Sequence, residues 1–345
     1  MGLIDIPDGT DITEVRKKIN QLRHNAEREA KPDKCILCGK SKTSFCNSHS
    51  VPQMILRNIA VDGELLQASA TMDLEIVNLT KGVNNSGTFY IICRDCDSKY
   101  FQDYENAENL KKNPTDKILA EIALKDNLIQ LSRRRVEIAV LSKMSDRIEG
   151  FDIFTHRKNL DLKEYEDEIS LYKDIIDTDK KGCFHILFWK ALPYKVPIAV
   201  QTMLALMSDM EGADVNYVFD DSPNVRMQNM HLCVFPLSDC SVVMAFYHKR
   251  DRNYKGLLHQ FHSITDGKKL KYLNWLTFKY SENYFLSRKV SQDVISDENL
   301  VKLCQENSGA PKMGMLNFDE MMKAEEYKSP TMDDIPNLLD QKYAV

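Results

Sequence analysis

Two Cys-x-x-Cys pairs constrain this chain more than any other feature. The first is Cys35 and Cys38, in CILCGK, and the second is Cys93 and Cys96, in YIICRDCDSKYFQDYEN. One such pair supplies two thiolates at a spacing that suits a tetrahedral zinc ion, and two pairs supply all four ligands. Fifty-four residues lie between Cys38 and Cys93, too many for one compact finger. The span fits a first knuckle, a β-hairpin insertion and a helix whose N-terminus carries the second knuckle. A thioredoxin-like redox pair fits poorly, because no βαβ pattern surrounds either motif. Between the pairs lies His49, in FCNSHSVPQMILR. It is not needed to complete a four-thiolate site, so it is free for other chemistry.

Composition sets the wider limits. With 345 residues the chain can hold two cores. It is 43% hydrophobic and 28% charged, with 13 glycines and 11 prolines, which excludes low complexity. A net charge of −5 gives no global electrostatic case for nucleic acid. The charge is uneven, however: residues 16–57 hold ten Lys or Arg against Glu27, Glu29 and Asp33. A local basic face is what phosphate contact needs, and a solvated helix explains it equally well. The first residues lack a basic start followed by an apolar run, and no apolar stretch reaches the length of a membrane span. The expected location is the cytoplasm, with no membrane partner. Nine cysteines in a reducing compartment favour metal ligands and buried thiols over disulfides.

Periodicity predicts an amphipathic helix within residues 1–32, carrying Ile12, Val15, Ile19 and Leu22. The cysteine module follows at 33–110. Asp62-Gly63 signals a tight turn, residues 64–79 read as short strands, and TFYIIC (88–93) as a strand running into the second knuckle. Residues 95–110 read as one helix. Residues 111–150 hold a long connecting helix that starts at Pro114-Thr115-Asp116 and carries Arg133, Arg134 and Arg135. A mixed α/β domain is expected at 151–328, giving an α+β chain. Within it, 183–189, 231–237 and 241–248 read as strands. Residues 196–210 read as a buried helix, and 255–263 and 267–286 as further helices. The segment 329–345 is expected to be a loosely attached tail.

The order Cys-x-x-Cys, a His followed three residues later by Pro, and Cys-x-x-Cys opening a helix resembles the HNH endonucleases of the treble-clef, ββα-metal type. The resemblance covers residues 33–110. It implies zinc held by Cys35, Cys38, Cys93 and Cys96, and His49 as the base that activates water against a phosphodiester. The family usually has Asp or Glu before this histidine and often His or Asn after the last cysteine. Here those positions are Ser48 and Asp97, and in the family they help hold a catalytic divalent ion. On the helix after Cys96, Asp97, Phe101, Tyr104 and Glu105 share one face. Asp97 and Glu105 are therefore candidate ligands for Mg²⁺ or Mn²⁺, hard ions that prefer oxygen. Each acid also has a plainer reading, Asp97 as a helix N-terminal acid and Glu105 as a surface carboxylate. Asn47 and Ser48 are weaker candidates, and Cys46 is a spare thiol.

Arg57 and Arg94 are candidate phosphate contacts. The expected substrate is nucleic acid, DNA ahead of RNA. The alternative is a zinc module that binds nucleic acid or protein without cutting. His231, His248, His259 and His262 read as ordinary histidines, and Cys183, Cys233, Cys240 and Cys304 as core thiols. The second half offers no phosphate-cradling glycine loop and no nucleophile elbow. It is left as a recognition, regulatory or dimerising domain. HNH modules fused to such domains are often defence or toxin effectors, a role that the resemblance alone implies.

Overall fold

The structure is a computed structural model that describes residues 12–68, 77–143, 151–217, 222, 225–307 and 328–345. Parts of four expected segments fall outside these residues: the first eleven of the N-terminal helix segment, 69–76 of the cysteine module with part of the strands expected at 64–79, 144–150 of the connecting helix, and 218–221, 223–224 and 308–327 of the second domain.

The chain opens with α1 (Ile12–Glu29) and the first knuckle, followed by β1 (Ser48–His49) and α2 (Gln53–Ile59). Next come β2 (Glu64–Ala68), β3 (Val77–Gly82), β4 (Thr88–Phe89), α3 (Arg94–Phe101) and α4 (Ala107–Leu110). Two long helices follow, α5 (Asp116–Ser142) and α6 (Phe151–Thr178). The second half runs β5 (Phe184–Leu192), β6 (Ile198–Leu204), β7 (Met230–Pro236), β8 (Ser241–His248), α7 (Lys255–Ser263), α8 (Asp266–Tyr280), β9 (Tyr284–Leu286), α9 (Gln292–Ile295) and α10 (Glu298–Asn307).

Seven strands form one antiparallel sheet in the order β3-β2-β9-β6-β7-β8-β5. β2 and β3 belong to the cysteine segment, so the sheet crosses the boundary at residue 110. Both faces of the central strands β6, β7 and β8 are covered. Cys233, Phe235, Val242, Met244 and Phe246 pack toward the cysteine module, α5 and α6. Leu232, Val234, Val243 and Ala245, alternating with them, pack toward α7, α8, α10 and the C-terminal segment. A sheet buried on both sides reads as unbroken apolar runs rather than as alternation.

That explains the first correction. Residues 196–210 form no helix; β6 occupies 198–204, a central strand between β9 and β7. A short apolar run has the same pattern in a buried helix and in a strand buried on both faces. The tail is a second correction. Leu338 and Leu339 are buried, Asn274 Nδ2 donates to Pro336 O (3.0 Å), and Val345 N donates to Lys195 O (2.9 Å). Its acidic residues face outward, but its leucines belong to the core.

The helix expected at 95–110 breaks into α3 and α4, because Asn106 caps a new start by accepting from Glu108 N (3.0 Å). The strand expected at 88–93 pairs only at Thr88–Phe89. The segment 267–286 is helical only to Tyr280, after which Tyr284–Leu286 enters the sheet as β9. α5 starts as expected, with Thr115 Oγ1 accepting from Ile118 N (3.3 Å). It is no mere connector: Ile118 to Ile129 are all buried, Glu121, Lys125, Asp126 and Asn127 included.

Candidate functional site

The first knuckle is a tight turn. Gly39 N donates to Cys35 O (2.8 Å), Cys35 N donates to Lys40 O (3.0 Å), and Gly39 takes φ +68°, a conformation cheap only for glycine. The second knuckle sits at the start of α3, with Cys93 in the N-cap position. The two meet: Ile36 N donates to Ile91 O (3.1 Å) and Cys93 N donates to Cys35 Sγ (3.3 Å). The ligand atoms of Cys35, Cys38, Cys93 and Cys96 all lie within 4.8 Å of one another, with 3.9 Å between the Cys38 and Cys93 sulfurs. Zn–S bonds of about 2.3 Å in a tetrahedron place sulfurs about 3.8 Å apart. The four thiols therefore form a cluster that fits a metal such as zinc. Burial pushes the Cys35 and Cys96 thiols up, whereas a backbone hydrogen bond from Lys40 pulls the exposed Cys38 down to about 7. A bound cation is what would hold all four as thiolates.

His49 lies on the two-stranded ribbon β1–β4, registered against Thr88. Its Nε2 is 3.1 Å from Val83 O. A carbonyl only accepts, so Nε2 carries the proton and a neutral ring leaves Nδ1 as a lone-pair acceptor. Burial lowers the His49 pKa, outweighing the Val83 hydrogen bond, and the Lys125 and Arg57 charges lower it further. The ring is accordingly neutral at physiological pH. Arg57 and Arg94 are both exposed.

The candidate acids do converge. Asp97, on α3, and Glu105, in the turn after it, are brought together around a side chain that sequence reasoning missed. Lys125 Nζ, from α5, is 3.1 Å from Asp97 Oδ1, 3.3 Å from Glu105 Oε1 and 3.1 Å from Ser48 Oγ. Its fourth side faces the Phe101 ring, 3.7 Å from the centroid. Ser48 Oγ donates to Asp97 Oδ1 at 2.5 Å and Cys46 Sγ donates to Asp97 Oδ2 at 3.7 Å. The Lys125 side chain is 1% exposed, against 21% for Asp97 and 37% for Glu105. Burial raises the Asp97 carboxyl, but Lys125 and Ser48 outweigh it and hold the group below the ordinary range. Burial dominates at Glu105 and raises it. As arranged, these oxygens do not fit a divalent ion, because an ammonium already lies among them. The available signal was three charged residues, Glu121, Lys125 and Asp126, within the mostly apolar stretch 118–129 of α5.

The other candidates play structural parts. Asn47 Nδ2 donates to Asn84 O (2.9 Å). His231 is fully buried, with Nδ1 2.7 Å from Asp126 Oδ2. Of the three arginines of α5, Arg133 donates to Asn283 Oδ1, Arg134 pairs with Glu137 and Asp161, and Arg135 donates to Ala30 O. Among the described residues, no helix is long and apolar enough to cross a membrane. No protein-family model, no curated protein and no solved structure matches the chain.

Proposed function

We propose that residues 33–110 form a zinc-stabilised, HNH-like treble-clef module that hydrolyses phosphodiester bonds in nucleic acid, with His49 as general base. One observation carries this reading. A neutral histidine sits on a two-stranded ribbon that leads into a cysteine-bearing helix, its Nε2–H fixed on a backbone carbonyl and its Nδ1 left to accept a proton. In this reading His49 takes a proton from water as the water attacks phosphorus. Arg57, close enough to depress the His49 pKa, steadies the phosphate together with Arg94. Zinc is structural, since all four of its ligands are cysteines. DNA is the first substrate to test and RNA the second, and the sheet domain serves recognition or regulation.

The test is cleavage of plasmid DNA, single-stranded DNA and RNA by the purified chain beside His49→Ala. Cutting by the parent that disappears in a zinc-retaining variant supports the reading. Cutting that survives the substitution overturns His49 as the base. A second reading is a zinc module that binds nucleic acid or a protein without cutting. It is favoured by the exposed Lys31, Lys34, Lys40, Arg57 and Arg94, and by Lys31 stacked over the exposed Tyr90 ring at 5.5 Å. Binding of nucleic acid without cutting under every condition selects it.

A further inference from the structure

Three oxygens from three parts of the chain converge on one point. Ser48 brings Oγ from β1, Asp97 brings Oδ1 from the first turn of α3, and Glu105 brings Oε1 from the segment after α3. Ser48 and Asp97 are the two positions that the resemblance assigns to a catalytic divalent ion. The point between them is filled by the Lys125 ammonium, carried in by a different element, α5. An ammonium has three N–H donors, and all three have an acceptor here. The fourth approach is closed by the Phe101 ring.

We infer that Lys125 takes the place of a divalent cation in this module and closes the site to Mg²⁺ and Mn²⁺. Mg²⁺ demands near-octahedral oxygen at about 2.0–2.1 Å and keeps several of its waters. An ion that close to Asp97 Oδ1 would be pressed against the ammonium bound to the same oxygen. Expelling the ammonium would break three charge-assisted hydrogen bonds made by a side chain that is itself almost wholly buried. Lys125 is a positioning residue: with every N–H engaged it does not reach a phosphate. It fastens Ser48, and so the strand that carries His49, to α3 and α5. This rests on the nuclease reading in one respect only: cleavage at His49 then needs no added divalent ion.

The test is Mn²⁺ uptake by the full-length, zinc-loaded chain, read from the electron paramagnetic resonance signal of free Mn²⁺ at millimolar concentration. The parent is expected to take up none. Lys125→Ala with zinc retained is expected to take up one ion per chain, and Lys125→Ala/Asp97→Asn to lose it again. Uptake by the parent that Asp97→Asn abolishes overturns the inference. So does absence of uptake in Lys125→Ala, because the three oxygens would then not form a cation cage. Should Lys125→Ala not fold, Lys125→Met keeps the aliphatic stem, and the parent titration still decides.

Cleavage assays separate this inference from the nuclease reading. Cutting that is unchanged by added Mg²⁺ supports it. Cutting that appears only with Mg²⁺, and is lost in His49→Ala, overturns it and leaves the nuclease reading standing. With no cutting at all the nuclease reading fails, and Mn²⁺ uptake alone decides the role of Lys125.

Discussion

Cys96 and Asp97 are consecutive residues of α3, yet they serve cation sites of opposite design. Around Cys96 the fold gathers four thiols and, among the described residues, hydrogen-bonds no ammonium or guanidinium to them. Lys42 stands at the rim, paired with Asp95 at 3.3 Å. Burial there raises Cys35 and Cys96, and only a cation from outside can reverse it. Around Asp97 the fold gathers two carboxylates and a hydroxyl and supplies its own cation from α5. The contrast follows from chemistry. Thiolates bind a soft, borderline ion far better than they bind an ammonium, whereas carboxylates accept an ammonium readily. One cluster therefore depends on metal supply and the other does not.

The largest expected effect comes from breaking the first cluster. Structural zinc contributes about 10–16 kcal/mol of apparent binding free energy in zinc-finger peptides near neutral pH, and most of it is folding free energy. Strong chelation, or Cys96→Ser, should release zinc and open the segment 33–110 to protease. Zinc release read by a chromogenic chelator and limited proteolysis check this together. A protease-resistant, zinc-free chain would mean that the thiols are core residues only, and the contrast would collapse.

Breaking the second cluster should cost less, but the cost should not depend on zinc. Lys125→Met leaves Asp97 and Glu105 without their common partner, and removing one side of a buried ion pair costs about 3–5 kcal/mol. Urea denaturation of zinc-loaded protein measures it. A loss under about 1 kcal/mol would mean that water or a free ion replaces the ammonium easily, which argues against a dedicated cation.

The two sites were not equally legible in the sequence. The thiol cluster was, because its ligands come as short-range pairs whose spacing is itself the signal. Helical spacing also put Asp97 and Glu105 on one face; they do meet, but Glu105 lies in the turn after α3 and not on the helix. Lys125 was hidden because its partners are long-range: 77 residues separate it from Ser48. Only tertiary packing of α5 against α3 brings them together. The same limit governs the fold. Helices α1, α5 and α7, with strands β7 and β8, were readable from local periodicity and caps. β6 was not, since burial on both faces removes alternation. The C-terminal segment was misjudged because its charges outnumber Ile335, Leu338 and Leu339, which nonetheless lie in the core.

A finer dissection tests whether the second cluster has a centre. Asp97 is engaged by Ser48, Lys125 and Cys46, whereas Glu105, among the described residues, has Lys125 as its one side-chain partner and is more exposed. Asp97→Asn should cost about 1.5–3 kcal/mol, typical of hydrogen bonds to a charged group. Glu105→Gln should cost under about 1 kcal/mol. The pH dependence has a definite sign. The Asp97 carboxyl is held below its ordinary value, so its stabilisation is present above the unfolded-state value of about 3.9 and is lost as pH falls through the lower folded value. The difference between parent and Asp97→Asn should therefore shrink in acid, as seen in urea midpoints taken across that range. Equal costs for the two acids would mean that the ammonium is shared evenly and Ser48 adds nothing.

The smallest effect is expected at the rim, where it separates a supplied cation from a nearby one. Lys42 is a positive charge close to Cys93 and Cys38, and its charge could be taken for the thiol cluster's counterpart of Lys125. Its geometry says otherwise. It donates to Asp95, a side chain 84% exposed, and solvent screens whatever it offers the sulfurs. Lys42→Ala should leave the denaturation midpoint unresolved from the parent and change zinc affinity less than about twofold, as exposed pairs usually do. Competition with a chromogenic chelator reads that affinity directly. A tenfold weakening would make Lys42 a working counter-charge for the thiolates, and the first cluster would then be partly self-supplied like the second.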